Sequence, residues 1–387
     1  MILSQKFPIP EAPNWQIDWS AMQASAMKPF IPQMIRTAQN PEWHGEGDVW
    51  THTQMVCEAL VGLDSWRNLS REDREIVFVS ALLHDVGKPV CTRVEDGRIT
   101  TRHHGQIGMQ IARRVLWQEV GLGGTPEHQN VRETICSLIQ FHSVPQHILN
   151  VENPTSSVVR SASNGVLAPS FRNRLLAILS EADLRGRIAS DIEQSLELVE
   201  LFAQCAEEND CLDGPFSFAS DFSRFAWFQG RLQMPTMELF DDTWGEVVVL
   251  SALPGTGKDT YANKQLSDRP IISLDDIRDE LKIAPEDGQG VVIVVAKERA
   301  KELLRQRQPF VWNATNLTTT LRQPLIQLFS QYGASVRVVF LETDWNEMLR
   351  RNRSRKRVVP DHVYEKLIEK LEMPSIREAH QVEWECR

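Results

Sequence analysis

A short glycine-rich loop at residues 252–260, with the sequence ALPGTGKDT, limits the fold of this 387-residue chain more than any other segment. It follows a β-branched apolar run at 246–251 and precedes a helical stretch, the setting of a phosphate-binding loop. Its glycines let backbone N–H groups converge on phosphate oxygens, and Lys258 can reach the outer phosphates of a nucleotide. A plain glycine-rich hairpin would explain neither the lysine nor the helix that follows.

The segments around this loop predict a parallel sheet. Strand-like runs alternate with helical segments, as in sheets covered by helices. Besides 246–251, these runs are 271–274, 310–312 and 335–341. Residues 291–295 alone resemble a strand, but they continue into a helical pattern, so we predict a helix there. The C-terminal part is therefore expected to be a P-loop α/β domain.

The N-terminal part differs in period and in histidine content. From residue 48 to about 201 the apolar residues recur at helical spacing, and eight of the ten histidines precede residue 148. Imidazole and carboxylate groups lie on the apolar stripes of these predicted helices, where they are costly to desolvate without partners. They are His52, His84, Asp85, His104, His142 and Asp183. A metal cluster would supply the partners. For any single histidine, a hydrogen bond in the core is the simpler interpretation.

Composition limits the class of protein. The length allows two compact domains, which we place at 1–205 and 245–387 with a connector at 206–244. The apolar runs are too short to cross a bilayer, and the six scattered cysteines favour a reduced, cytoplasmic protein. A net charge of −10 argues against a protein that coats long nucleic acids. It does not argue against an enzyme that holds only a strand end.

Three motifs in the N-terminal half resemble those of the HD phosphohydrolase superfamily. They are 82–89 (LLHDVGKP), 44–52 (HGEGDVWTH) and the His-x-x-x-Gly spacing at 104–108. The resemblance implies an all-helical domain that hydrolyses phosphoesters with two divalent transition metals (Mn, Ni, Co, Zn, Cu or Fe). It implies one metal on His52, His84, Asp85 and Asp183, and a second on His104, His142 and a bridging Asp85. Lys88 would contact a phosphate in this scheme; a solvent-exposed lysine at a helix end is an equally good interpretation.

The C-terminal half resembles the phage-type polynucleotide 5′-kinases, through the loop and through 273–278 (SLDDIR), 313–316 (NATN) and 350–357 (RRNRSRKR). The resemblance implies Asp275 as general base, Arg278 and Asn316 as acceptor contacts, and Arg351 and Arg355 on the ATP phosphates. ATP with Mg²⁺ would occupy the loop residues Pro254, Gly255, Thr256, Gly257, Lys258, Asp259 and Thr260. Asp259 stands where a serine or threonine usually follows the lysine, which leaves open the hydroxyl that meets Mg²⁺.

Both halves together resemble the HD-Pnk family of RNA end-healing enzymes. This resemblance implies removal of a 2′- or 3′-terminal phosphate, or opening of a 2′,3′-cyclic phosphate, and phosphorylation of the 5′-OH end by ATP. RNA ends would be the partner; acceptance of DNA ends and a separate RNA ligase as partner stay open, and no membrane is implied. One alternative is an HD hydrolase of small nucleotides joined to a small-molecule or nucleoside kinase. Another is a non-catalytic binding protein with a degenerate domain.

Overall fold

The computed structural model describes residues 2–151, 153–284, 287–355 and 358–387. The chain divides into two compact units. Unit 1 comprises Met1–Leu122 and Glu127–Phe216, and unit 2 comprises Gly123–Pro126 and Ser217–Arg387. The proposed limits of 1–205, 206–244 and 245–387 remain a prediction about functional domains, and the two units are described separately below.

Unit 1 is helical. Its α-helices are α1 (Ile2–Lys6), α2 (Trp19–Met22), α3 (Ile31–Arg36), α4 (Val49–Gly62), α5 (Asp64–Arg67), α6 (Arg71–Leu83), α7 (Lys88–Cys91), α8 (His104–Gln118), α9 (Pro126–Phe141), α10 (Pro154–Ala162), α11 (Asn173–Arg185) and α12 (Ile192–Glu208). Two 3₁₀ turns, Pro145–Asn150 and Ser163–Val166, connect some of them. Helices α4, α6 and α11 pack against one another at the centre.

Local sequence signals explain where the central helices begin. The Asp48 side chain accepts hydrogen bonds from the backbone N–H groups of Trp50 and Thr51 at the start of α4. Ser70 caps α6 by accepting from Asp73 N, and its hydroxyl donates to the Asp73 carboxylate. The helix itself ends at Leu83, so the His-Asp pair lies just beyond its last turn.

One short hairpin interrupts the helical pattern of unit 1. Strands β1 (Arg93–Glu95) and β2 (Arg98–Thr100) pair antiparallel, with Glu95 opposite Arg98. The two-residue turn has φ of 49° at Asp96 and 76° at Gly97. Asp-Gly favours this left-handed pair of conformations, which matches the twist of a two-residue hairpin. The sequence carried this signal within a region predicted as helical.

Unit 2 is an α/β structure around a five-stranded sheet. Its strands are β3 (Glu246–Ala252), β4 (Ile271–Ser273), β5 (Phe310–Asn313), β6 (Ser335–Glu342) and β7 (Gln381–Cys386). They pair in the order β4-β5-β3-β6-β7, and every pairing is parallel. The helices are α13 (Asp221–Phe228), α14 (Lys258–Gln265), α15 (Leu274–Glu280), α16 (Gln289–Arg305), α17 (Thr319–Gln331), α18 (Trp345–Arg353) and α19 (Asp361–Glu369).

The four predicted strands and the helix at 291–295 are confirmed. In a parallel sheet the carboxyl ends of the strands share one edge, so the segments that follow β3, β4 and β5 are neighbours. In the register, Leu250 of β3 and Ser273 of β4 both lie opposite Asn313 of β5. This edge brings the glycine-rich loop, the start of α15 and the end of β5 together.

Candidate active sites

Six polar side chains from different helices converge in the centre of unit 1. His52 lies on α4, Asp183 on α11, and the His84-Asp85 pair follows α6. His52 Nε2 lies 3.0 Å from Asp183 Oδ1, and His84 Nε2 lies 3.2 Å from Asp85 Oδ2. His104 Nε2 lies 3.6 Å from the other Asp85 oxygen. The remaining member, His142, completes the predicted set.

Backbone carbonyl groups contact the same ring nitrogen, Nδ1, in all four imidazoles. Each Nδ1 faces a carbonyl oxygen: Gly186 at 3.2 Å from His52, Ala81 at 2.7 Å from His84, Thr101 at 2.9 Å from His104 and Ile139 at 2.7 Å from His142. A carbonyl accepts only, so each Nδ1 carries the hydrogen, and an uncharged ring then has a bare lone pair on Nε2. This is the tautomer that metal-binding histidines need.

The Nε2 atoms nevertheless face one another. The Nε2 atoms of His52 and His84 are 3.4 Å apart, and those of His104 and His142 are 3.2 Å apart. Burial lowers the pKa of His142 to about 3, and the neighbouring His104 and His84 lower it further. A proton on this ring is therefore disfavoured at neutral pH. At the 3.2 Å separation of His104 and His142, two bare lone pairs repel unless a cation lies between them, so these residues fit bound divalent metal. Burial would lower the pKa of His52, but its contacts with Asp183 and Glu46 raise it.

Asp85 lies between the two histidine pairs. Its carboxylate is fully buried, and neither oxygen accepts a hydrogen bond from a described residue. Lys88 Nζ is an ion-pair partner at 2.7 Å from Oδ2. Burial alone would raise the pKa of the Asp85 carboxyl, but the charges of His84 and Lys88 hold it well below its usual value. A charged carboxylate with unused lone pairs is suited to bridging two metals.

Lys88 is only 5% exposed, because its ammonium group reaches back to Asp85 and donates to Gln39 Oε1 at 2.6 Å. The solvent-exposed interpretation of this lysine is therefore wrong. Its Nζ lies at the Asp85 carboxylate of the predicted ligand set, and the side chain lines the cavity described below.

Asp183 is held by residues that sequence inspection did not assign. Gln146 Nε2 donates to its Oδ2 at 3.1 Å, and Arg187 forms an ion pair with the same oxygen. Burial would raise the pKa of the Asp183 carboxyl, but the charge of Arg187 and the neighbouring His52 hold it well below its usual value. Gln146 carries no local signal. Arg187 lies one helical turn after Asp183, which is a spacing that sequence inspection could have used.

Glu46 supports the site from the opposite side of His52. Its Oε1 lies 2.9 Å from His52 Nδ1 and 2.8 Å from His44 Nδ1, and its Oε2 accepts from Ile188 N at 3.0 Å. Burial lowers the pKa of His44 to about 4, against the effect of its hydrogen bond to Glu46. Carboxylates behind metal-binding histidines fix the ring and raise its basicity. Glu46 lies inside the 44–52 motif but was not singled out there.

A cavity of about 530 Å³ opens onto the His104–His142 side of the cluster. Lys88 and Arg187 contribute positive charge to its wall, and Trp43, which is 45% exposed, contributes a flat apolar surface. His52, His84 and Asp183 do not line it. A substrate would therefore approach the ligand set from the side of the second histidine pair.

In unit 2 the glycine-rich loop has the backbone that a phosphate-binding loop requires. Gly255 and Gly257 have φ of 86° and 93°, and Gly257 caps α14. A Cβ on Gly255 would lie 2.9 Å from the carbonyl oxygen of Met348. Thr256 is buried, with its hydroxyl donating to Leu253 O at 2.9 Å. Pro254 O accepts from the Tyr364 hydroxyl at 2.8 Å, so the loop is held in its shape from both sides.

The lysine of the loop is already part of a polar triangle. Lys258 Nζ donates to Asn313 Oδ1 at the end of β5 and lies 3.1 Å from Asp259 Oδ1. Asn313 Nδ2 donates to the same Asp259 oxygen at 2.9 Å. The charge of Lys258 and the Asn313 hydrogen bond hold the pKa of the Asp259 carboxyl below its usual value. Thr260, the next residue, is exposed.

Two arginines predicted to contact ATP lie beside this loop. Arg351, on α18, donates to Thr256 O at 3.4 Å, and its guanidinium is also held by Glu347 at 2.7 Å. Arg355 follows α18. Its charge contributes to the lowered pKa of Asp259, and it opposes the burial that raises the pKa of the Tyr364 hydroxyl to about 12. Lys356 and Arg357, which complete the predicted basic run, lie outside the described residues.

The predicted acceptor residues follow β4. Asp275 lies in the first turn of α15, and its carboxylate is 67% exposed. It forms an ion pair with Arg278 Nη1 at 2.7 Å. Ser273, not Asp276, caps this helix. Asn316 differs from these residues, because its buried amide donates to Leu250 O at the end of β3. Its hydrogen bond holds the strand that leads into the loop, and its contact with substrate stays a prediction.

Two protein-family models match separate parts of the chain. Residues 49–183 match the family model described as HD domain, and residues 247–374 match one described as AAA domain. The chain thus joins a helical HD domain to a P-loop kinase-like domain with a parallel sheet.

A curated relative is the L-seryl-tRNA(Sec) kinase of Methanococcus maripaludis, 23% identical over 140 residues. The match covers 34% of this chain and 55% of the relative, so the chain spans about half the length of the curated relative that it matches. Among the described residues, no helix is both long enough and apolar enough to span a membrane.

Proposed function

We propose that the protein repairs broken RNA ends: the HD domain removes or opens the 2′/3′ phosphate, and the kinase domain phosphorylates the 5′-OH. Cleavage of RNA by many ribonucleases leaves these two ends, and neither can be joined until both are processed. The co-occurrence of a hydrolytic and a phosphorylating domain in one chain supports this proposal.

In the HD domain, His52, His84, Asp85 and Asp183 would hold one metal, and His104, His142 and Asp85 a second. Divalent metals bound there supply Lewis-acid chemistry that activates a phosphoryl group and water. Asp85 keeps its negative charge, and His142 stays neutral, so both present lone pairs. Lys88 and Arg187 attract the substrate phosphate into the cavity, where the Trp43 indole can stack on the terminal base.

In the kinase domain, the loop N–H groups and Lys258 would bind the β- and γ-phosphates of ATP, with Arg351 and Arg355 neutralising the charge that develops during transfer. Asp275 would accept the proton of the attacking 5′-hydroxyl. The hydroxyl oxygen forms a bond to the γ-phosphorus, the bond from that phosphorus to the β-bridging oxygen breaks, and ADP leaves. Mg²⁺ supplies charge neutralisation of the phosphates.

The Asp275–Arg278 pair carries the choice of a polynucleotide acceptor. The Arg278 side chain is 10% exposed and lies beside the proposed general base. An arginine in this place suits an acceptor that brings a phosphate with it, such as the 3′-side phosphate of the terminal nucleotide.

The curated relative favours a second candidate for the acceptor. Its name describes a kinase for a seryl-tRNA, whose substrate is a hydroxyl attached to an RNA. This relationship is compatible with an RNA-borne acceptor but favours the seryl hydroxyl over the 5′-OH. A nucleoside or other small-molecule kinase is the remaining alternative.

A single oligonucleotide tests the proposal. RNA with 5′-OH and 2′,3′-cyclic phosphate ends is incubated with ATP, Mg²⁺ and each of several transition metals. Lys258→Ala should reduce 5′ phosphorylation by at least about 100-fold and leave 3′-end processing intact. Asp85→Asn should lose 3′-end processing, keep 5′ phosphorylation and purify with less metal. Lys264→Ala on the same helix and the exposed Asp64→Asn are the matched controls.

The same assay separates the alternatives. A nucleoside that competes as well as the RNA favours a small-molecule kinase. Phosphorylation of seryl-tRNA but not of the 5′-OH favours the second candidate. If wild-type protein hydrolyses ATP or mononucleotides yet leaves both RNA ends unchanged, the end-repair proposal is wrong.

A further inference from the structure

In the nucleotide site of unit 2, the carboxylate lies at a different position from the one it has in the general P-loop pattern. In P-loop enzymes a serine or threonine follows the loop lysine, and an aspartate from a separate strand completes the Mg²⁺ site. Here Asp259 follows Lys258, and β5, next to the loop strand in the sheet, ends in Asn313. Each arrangement contains one carboxylate, but in this chain the carboxylate lies on the loop side.

The contacts show that these two residues form one unit. Asn313 uses its amide nitrogen toward Asp259 Oδ1 at 2.9 Å and its amide oxygen toward the Lys258 ammonium. The orientation of the amide therefore satisfies a negative and a positive neighbour at once. An aspartate at position 313 would bring a second carboxylate to hydrogen-bonding distance of Asp259. The neutral amide is the side chain that the loop aspartate requires.

A carboxylate at position 259 has an electrostatic consequence for nucleotide binding. It lies beside the lysine that would contact the triphosphate, and it is 65% exposed on its loop. Without a cation between them, two anionic groups at this separation repel each other. Mg²⁺ in nucleotide sites is commonly held by one or two carboxylates together with substrate phosphates. A divalent cation would change the repulsion into an attraction.

We infer that the Asp259 carboxylate is the protein's Mg²⁺ ligand in the kinase site, in place of a hydroxyl, and that Asn313 is its neutral positioning partner. This inference rests on the proposed kinase function, because it needs ATP in the loop. Its consequence is a nucleotide site that rejects ATP when no divalent cation is present. Thr260, whose exposed hydroxyl is the alternative ligand, is not required for the cation.

Binding of a fluorescent ATP analogue, measured with Mg²⁺ and again in excess EDTA, tests the inference independently of turnover. Wild-type protein should bind on the order of tenfold more tightly with Mg²⁺ than without it. Asp259→Ala, which offers the cation no ligand, should remove most of this difference, in part because binding in EDTA becomes tighter. Mn²⁺ titration followed by electron paramagnetic resonance, with the nucleotide present, should show the same loss of cation affinity.

Moving the carboxylate from position 259 to position 313 provides the sharpest comparison. Asn313→Asp alone places two carboxylates together, whereas Asp259→Ser/Asn313→Asp returns to one carboxylate on β5. The double variant should regain the Mg²⁺ dependence that Asp259→Ala loses. Asp268→Ala, at an exposed aspartate beyond α14, is the control and should behave as wild type.

Two outcomes would overturn the inference. The first is unchanged Mg²⁺ dependence in Asp259→Ala, which changes an exposed side chain and is expected to fold. The second is loss of that dependence in Thr260→Ala instead. If wild-type protein binds the analogue under neither condition, the proposed kinase function fails, and that result is distinct from both.

Discussion

His380 is held in a place that accepts only a neutral imidazole. The residue is 4% exposed, and its Nδ1 accepts a hydrogen bond from Val336 N at 3.1 Å. The rings of Phe222 and Phe225 pack on it, with centroids 5.8 and 4.0 Å away. Burial lowers the pKa of His380 to about 4; nearby Arg224 acts in the same direction, and Asp241 opposes it.

Acidification should therefore destabilise unit 2 through this residue. An unfolded histidine titrates near pH 6.5, so below that pH the unfolded chain binds a proton that the folded chain does not. His380 should lower the free energy of unfolding by about 2 kcal/mol between pH 6.5 and 5. His380→Asn keeps an acceptor for Val336 N without titrating, and should remove this part of the pH dependence in urea unfolding. The control His362→Asn, at an exposed position, should leave the pH dependence of the free energy of unfolding unchanged. The same pH dependence in both variants would contradict the role given to His380.

At the scale of elements, the HD site depends on how closely α8 approaches the turn after α6. A Cβ on Gly87 would lie 2.3 Å from the carbonyl oxygen of His104 and 2.6 Å from Gly108 N. Both of those atoms are backbone, which cannot move out of the way as a flexible side chain can. Gly87 is thus required for the packing of α8, and this packing brings His104 to the bridging carboxylate of Asp85.

Gly87→Ala should move α8 outward and separate His104 from Asp85. We expect a loss of about 1–3 kcal/mol in stability, as for other overpacked contacts, and a larger loss of phosphoesterase activity than of kinase activity. Metal content, thermal melting and phosphate release measure the three effects. Gly62→Ala, where a Cβ would meet nothing within 4 Å, is the matched control. Wild-type metal content and hydrolysis in Gly87→Ala would show that the close approach is not needed.

At the scale of the whole molecule, each unit has its own core and its own chemistry. The metal-ligand set lies within unit 1, and the nucleotide loop lies within unit 2. The loop strand β3 contributes Val248, Leu250 and Ala252 to a core that also includes Tyr261 and Ala262 of α14. A ligand that binds one site stabilises the unit that contains it.

Calorimetry should resolve two unfolding transitions that respond to different ligands. Ni²⁺ without nucleotide should raise one transition, and Mg²⁺-ATP the other, each by roughly 5–10 °C at a hundredfold excess over the dissociation constant. Asp85→Asn should abolish only the Ni²⁺ shift, and Lys258→Ala only the nucleotide shift. A single transition that both ligands raise equally would show that the units unfold together.

Much of this protein follows from its sequence alone, because the decisive signals are local. The strand-loop-helix around Lys258 and the apolar stripes that carry His52, His84 and Asp183 each lie within one or two elements. The resulting fold class, helical HD domain and parallel P-loop sheet, is confirmed. The Asp96-Gly97 turn signal is equally local, although the helical pattern around it predicts no hairpin there.

The rest depends on contacts between distant parts of the chain, which no local period records. Gln146 and Glu46 reach the metal-ligand set from separate segments, and the Asn313 amide meets Asp259 only because β5 pairs with β3. Helix α13, within the stretch proposed as a connector, packs on His380 through Phe225. Side-chain type and spacing along the chain determined which groups could do chemistry. Only the tertiary structure decided which of them meet, because burial and charge pairing act through space.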